Sequence, residues 1–588
     1  MSRTDPHSYF DDTQPRTRRL DLDLTVDFAA RCLHGTATLT FGSGQSGRVD
    51  LDTRGLQVAA VRTANGRPVD FSIGPEDPIL GRYLRVELPR DTASITVQYR
   101  TAPDATGLQW LEPAQTAGGR HPFLFSQCQA IHARSVAPLQ DSPVARIAYG
   151  AALTVPRELA AVMSAESTAT SAASADHRTF RFEMPQPIPP YLLALAVGNI
   201  ASRDLSPRSR VWAEPEVIDA AAWEFAAVES MITTAEGLFG PYDWQRYDLL
   251  VLPPSFPYGG MENPRMTFVT PSLLAGDRSL VDVVAHELAH SWTGNLVTNA
   301  NAEHFWLNEG WTVWAERRIL EALHGPEAAA LSWVLGATSL RQSLDRLGVD
   351  SPLTRLRTHL DNVDPDEIFS TVPYEKGARF LALLEATVGR ERFDPFVRAY
   401  MRRFRFTSIT TEQWLEFVAA ELPGALETIG ARDWIEGTGL PANAPRFHAP
   451  VLDAIEAQVA DWAAGRGGQS APQPAWNSTE LQVFLQRLPR PLPAASCAEL
   501  ESAFGLAAPR NAEIRCEWLT IAAASDYEPA FDAIRAFLCG IGRMKYLRPL
   551  YTALGATPRT RALARAVFAD AASRYHVTAR RMVERLIG

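Results

Sequence analysis

Residues 286–309 read HELAHSWTGNLVTNANAEHFWLNE, a stretch with three histidines, three glutamates and two tryptophans in 24 positions. The residues before it, SLVDVVA, carry apolar side chains at helical spacing. His286 and His290, four apart, therefore share one helix face about 6 Å apart along the axis, close enough for both imidazoles to reach one ion. After a non-helical TGNLVTNANAEH the chain enters a second helical pattern, FWLNEGWTVWAERRIL, which a short loop would set antiparallel to the first. Glu309, in its first turn, then supplies a third ligand. Three protein ligands with a free position are the arrangement of catalytic rather than structural zinc. Glu287, beside His286, projects to one side of that point. It is placed to take a proton from water and return it to a leaving amine. The outer nitrogens of ligand histidines are held by carboxylates or carbonyls. Glu316, two turns past Glu309, and Asp282, one turn before His286, are the candidates. Trp292, Trp306 and Trp311 are expected to pack between the helices.

Working outward, the segment from Leu20 to about Arg100 alternates apolar and polar residues (LDLDLTVDF, GTATLTF, YLRVELP, SITVQYR), the period of half-buried strands. Strand character continues to VGNI near Ile200. After Val217 the spacing turns helical, as in AAAWEFAAVESMITTAEGLFG. A second break falls at GLPANAPRFHAP (439–450), and beyond it only helical patterns occur, interrupted by a Gly/Pro-rich loop at 464–475. At 588 residues the chain exceeds a single core. The reading is a multidomain α+β protein: an antiparallel β domain (1–201), a mainly helical metal-bearing domain (202–447) and an all-α domain (448–588).

Composition narrows the partners. A formal charge of -10 over this length, without a Lys/Arg run, gives no electrostatic footprint for nucleic acid or an anionic membrane. Small molecules or peptides are expected instead. The polar start, MSRTDPHSYFDD, lacks the apolar core of a secretory signal, and no apolar run approaches 18 residues. Five scattered cysteines fit reduced thiols. The expectation is a cytoplasmic monomer.

Metal and base alone suit an endopeptidase and an exopeptidase equally. The discriminating stretch is PPSFPYGGMENP (253–264). Gly259 and Gly260 allow a close backbone approach, and the acidic Glu262 just beyond them suits a free α-ammonium. GGMEN together with HELAHSWTGNLVT and the later NE resembles the signature of the gluzincin aminopeptidases, peptidase family M1. Within that family the longer strings LLVLPPSFPYGGMENP, FSQCQAIHARS, SITTEQW and VPYEKG are most similar to the leukotriene A(4) hydrolase group, and the resemblance runs to GRMKYLRPL near the C-terminus.

The resemblance implies a saddle-like β domain, a thermolysin-like catalytic domain and a helical C-terminal domain. It implies one Zn2+ per chain on His286, His290 and Glu309, with Glu287 as base and Tyr374 as donor to the oxyanion. It also implies that Glu262 and Gln129 hold the substrate amine, with Ala130, Tyr258, Gly259, Gly260 and Met261 lining the substrate. Arg543 and Lys545 would bind a peptide's C-terminal carboxylate, which favours di- and tripeptides. Asp366 falls where the group directs water in epoxide opening and prefers basic first residues. One departure stands out: vertebrate members carry a tyrosine where this chain has Phe369. The expected activity is removal of the N-terminal residue from short peptides. The alternatives are additional hydrolysis of a fatty-acid epoxide such as leukotriene A(4), and a silent peptide-binding protein.

Overall fold

The computed structural model describes residues 5–467 and 476–588, so most of the loop expected at 464–475 lies outside the described residues. Strand Arg19–Asp27 buries alternate side chains, as its alternating sequence requires. It lies in an eight-stranded sheet whose long strands Cys32–Thr53 and Arg82–Arg100 pair antiparallel. The sheet is antiparallel except where Arg19–Asp27 runs parallel to Ile147–Pro156. A smaller four-stranded sheet contains Phe123–Ser126, from whose end the chain passes directly into Gln127, Cys128, Gln129 and Ala130.

The middle of the chain is less uniformly helical than its periodicity suggests. Asp248–Val251, Met266–Val269 and the edge strand Gly260–Met261 join Ala201–Ser206 and Ser209–Ala213 in a five-stranded mixed sheet. Asp248–Val251 and Met266–Val269 are four-residue strands buried at every position. Such strands show no alternation, which is why a period-two search passes over them. The edge strand carries GGMEN to the face of the two helices that bear His286, His290 and Glu309.

Those helices are α1 (Asp282–Ala289) and α2 (Trp306–His324). Trp306, Trp311 and Trp314 of α2 and Trp292 beyond α1 are all at most 1% exposed, so the tryptophans pack the core as expected. Most of α2 is buried, its polar residues Asn308, Glu309, Arg317 and Arg318 included, so it runs through the centre of the core. Next come α3 (Pro326–Leu347) and α4 (Val372–Val388). α4 crosses α2 where two glycines meet: a Cβ on Gly310 would lie 2.8 Å from the Gly377 Cα. Beneath α4, Glu375 accepts from Arg317 at 2.6 Å and Arg379 at 2.7 Å, and the Lys376 ammonium donates to the carbonyls of Thr354 and Gly437. These bonds fix the first turn of α4, where Tyr374 sits.

From Val451 to Ile587 the described residues form helices without strands, including α5 (Met544–Leu554) and α6 (Val577–Ile587), which pack on each other. Among the described residues no helix is long and apolar enough to cross a membrane. All five cysteines are free thiols.

Candidate active site

α1 ends at His290, so its two histidines leave the helix on the same side. The Nε2 atoms of His286 and His290 lie 3.6 and 3.4 Å from one oxygen, Oε2 of Glu309. Their outer nitrogens are occupied. His286 Nδ1 is 3.0 Å from Glu316 Oε2, and His290 Nδ1 is 2.9 Å from the Thr293 carbonyl and 3.1 Å from Thr312 Oγ1. A carboxylate and a carbonyl can only accept, so each Nδ1 carries the proton and each Nε2 turns a lone pair toward Glu309. Glu316 thus fills one of the two expected supporting roles, and a backbone carbonyl fills the other. Asp282 bonds to neither ring.

Glu309 Oε2 is buried and has no hydrogen-bond partner among the described residues. Two lone pairs and a carboxylate oxygen converging on one point repel unless a cation stands between them. The ligand atoms of the three residues lie within 4.8 Å of one another, which fits zinc. The charge balance says the same. Glu262, Glu287, Glu309 and Glu316 cluster here, and among the described residues no Lys or Arg pairs with any of them. Burial opposes charge on both imidazoles, yet these carboxylates raise both pKa values, so with no metal the positive charge they call for is a proton on each Nε2, and a bound metal ion would displace those protons and restore the lone pairs. Burial likewise opposes charge on Glu309, but the two imidazoles keep its pKa down at about 2.

Glu287 stands beside the ligands with its pKa pushed up to about 7, chiefly by burial. A carboxyl poised near neutral pH is suited to accept and return a proton. Its position depends on Gly260: a Cβ there would meet Glu287 Oε1 at 2.3 Å. Gly259 does the same for Arg543, whose Nη2 would lie 2.6 Å from an added Cβ. The paired glycines therefore make room for two side chains of the site, a role beyond the substrate approach read from sequence.

Glu262 is buried within 4.8 Å of Glu287 and His290, and Gln129 Nε2 lies 3.5 Å from Glu262 Oε1. Burial, and then the charges of Glu309, Glu262 and Glu287, push the Tyr374 phenol well above its usual pKa, so it stays protonated and can donate. The Tyr374 ring lies parallel to His286 at 6.3 Å and edge-on to Phe369 at 6.0 Å.

His286, His290, Glu309, Glu316, Glu287, Glu262, Gln129 and Tyr374 line one cavity of about 790 Å³, to whose wall the C-terminal helices contribute. Arg543 and Lys545 of the C-terminal segment line it, but each has a partner that the sequence did not disclose. Glu513 lies 2.7 Å from Lys545 and 3.5 Å from Arg543. Arg543 is buried rather than a surface cation. Asp366 also lines the cavity and is engaged by His132 Nε2 at 2.7 Å, a pairing across 234 residues. His132 lies within the FSQCQAIHARS string, the one sequence signal that pointed toward it. Phe369 exposes half of its surface there.

Residues 223–434 match the peptidase family M1 domain, residues 14–192 the peptidase M1 N-terminal domain, and residues 476–587 the C-terminal domain of leukotriene A4 hydrolase. The chain is 38% identical to leukotriene A-4 hydrolase of Xenopus laevis over 567 residues, 93% of each protein. It is 40% identical to leucine aminopeptidase 2 of Yarrowia lipolytica over 592 residues, 96% of this chain and 90% of the other. The chain belongs to peptidase family M1. Among solved structures, yeast LTA4 hydrolase in complex with bestatin superposes with a TM-score of 0.92 at 34% identity, covering 99% of this chain and 97% of that one. As a member of family M1 the protein is a zinc metallo-aminopeptidase, with the N-terminal β, catalytic and C-terminal helical domains of that architecture.

Proposed function

We propose that this enzyme releases the first residue of di- and tripeptides, and that one zinc ion per chain is held by His286, His290 and Glu309. The observation that carries the exopeptidase reading is the Glu262 carboxylate, buried within 4.8 Å of Glu287 and His290. A substrate ammonium held by Glu262 and Gln129 leaves only the first peptide bond near the ligand set, because each further residue lies about 3.5 Å away along an extended chain. Bound zinc would polarise the scissile carbonyl and make water nucleophilic near neutral pH. Glu287 removes the proton from that water and delivers it to the leaving amine. Tyr374 donates its phenolic proton to the oxygen on which negative charge develops. Glu316 and the Thr293 carbonyl hold the two imidazoles in the tautomer that binds metal. Arg543 and Lys545 receive the peptide's carboxylate, sharing their charge with Glu513.

We set the domain limits at 1–201, 202–447 and 448–588. Ile200 packs on the first apolar core and Leu205 on the second, and apart from helix residues near Leu331 the third core is drawn from Ala449 onward, which supports both divisions. Free thiols throughout support a cytoplasmic location, and we take the protein as a monomer.

Aminoacyl-arylamides and tripeptides, assayed with and without a chelator, test this reading. Release of the first residue that stops on chelation and returns with zinc is expected; cleavage within longer peptides instead would overturn it. Arg543→Ala should impair tripeptides more than arylamides, which have no carboxylate, and equal loss on both would count against the carboxylate anchor. A fatty-acid epoxide is the second substrate to try, because half-exposed Phe369 adds apolar surface beside Asp366. Mass spectrometry decides that question, and absence of a diol product ends it.

A further inference from the structure

The cavity's charge is arranged by position. Its inner end carries Glu262, Glu287, Glu309 and Glu316, while its outer wall carries Arg346, Arg548, Arg581 and Arg585. These four arginines are exposed, and among the described residues none lies within ion-pair distance of an Asp or Glu, in contrast to Lys545 at 2.7 Å from Glu513. They come from three helices whose residues line the one cavity. Arg548 follows Lys545 by three residues on α5 and so shares its face. Arg581 and Arg585, four apart, share a face of α6, which packs on α5. Arg346 ends α3 and donates to the Phe369 carbonyl at 3.3 Å. Arg548 reaches solvent, but its guanidinium is partly covered by the cavity wall and is pushed below its ordinary pKa first by that partial burial and then by the charges of Arg346 and Arg585.

We propose that Arg346, Arg548, Arg581 and Arg585 form a subsite for an acidic side chain on the third residue of the peptide, next to the carboxylate anchor. The inference rests on the aminopeptidase reading above. A tripeptide whose carboxylate lies at Arg543 and Lys545, at the start of α5, has its third side chain beside α5, where Arg548 lies one turn on and against which α6 packs. Four like charges without counterions gain most from an anion that enters among them. A peptide side chain fits better than a nucleic acid or a lipid surface, because the arginines line the mouth of a cavity on a protein of net charge -10.

The test compares tripeptides with the same first two residues and Glu, Gln or Lys in the third place. At low ionic strength kcat/KM for Glu should exceed that for Gln by about three- to tenfold, with Lys lowest, the difference residing in KM and shrinking as salt is added. In Arg581→Gln/Arg585→Gln the Glu-to-Gln ratio should fall toward one, and Arg548→Gln should lower it independently. Equal rates for Glu and Gln in the native enzyme would overturn the proposal. So would a ratio that survives both variants, which would assign the preference to Arg543 and Lys545 alone. If neither tripeptides nor arylamides lose their first residue, the aminopeptidase reading itself fails and this subsite falls with it.

Discussion

Glu287 and Glu309 are both buried glutamates of one cluster, yet their pKa values are driven apart, to about 7 and about 2. The difference suits the roles proposed for them, one placed to exchange protons near neutral pH and the other to remain an anion against a cation. Glu287→Gln should therefore keep its zinc, measured by metal analysis, while kcat falls by about 10²- to 10⁴-fold. Glu309→Gln should lose the metal first. Tyr374→Phe, which removes only the phenolic donor, should lower kcat by about 10²-fold with little change in KM. Gly260→Ala probes position alone. Its Cβ would stand 2.3 Å from Glu287 Oε1, so zinc content should hold while kcat drops. Unchanged activity in that variant would show that Glu287 has another place to go.

The contact of Gly310 with Gly377 lets α2 and α4 approach closely, and each glycine stands near a residue of the site, Glu309 on one helix and Tyr374 on the other. Gly310→Ala forces the helices apart and should cost about 1 to 3 kcal/mol of stability, with a loss of kcat larger than that of neighbouring surface variants. His304 connects two further elements. Its Nδ1 accepts from the Thr411 N–H at 3.2 Å, at the start of helix Thr411–Glu421, and burial lowers its pKa to about 4. The native state thus resists a proton that the unfolded chain accepts from about pH 6.5 downward, so His304 makes stability fall as pH drops from about 6.5 to 4. In His304→Gln this component is absent. The gap between the native protein and the variant in chemical unfolding should narrow by up to about 3 kcal/mol across that window. At this scale the sequence was informative where spacing is local. His286 and His290 sit one turn apart, and Glu309 opens the next helix. It was silent where partners meet through space, as Asp366 meets His132 and Glu513 meets Arg543, because no periodicity encodes such meetings. The strands Asp248–Val251 and Met266–Val269 escaped for a related reason: both faces are buried, so each four-residue strand has only one polar residue, Asp248 or Thr267, and shows no alternation.

Across the whole molecule, three apolar cores contribute to one cavity. The first brings Gln129 just beyond its strand Phe123–Ser126, the second the proposed metal ligands and Tyr374, and the third Arg543 and α6. Metal links the stability of the middle unit to its chemistry, since clustered carboxylates left without a cation repel. Chelation should therefore lower Tm as well as abolish activity. Added zinc should restore both, with about 2.7 kcal/mol gained at one hundred times its Kd. An unchanged Tm after complete removal of zinc would argue that another cation serves the cluster.

The steepest consequence comes from the entry being built by helices that carry none of the reactive groups. Residues on α3, α5 and α6 face incoming chains without touching the bond that breaks, so the diet of this enzyme can drift through substitutions there while its chemistry stays fixed. Selection for new clientele would leave its mark on the end of α3 and on α5 and α6 long before it reached the histidines.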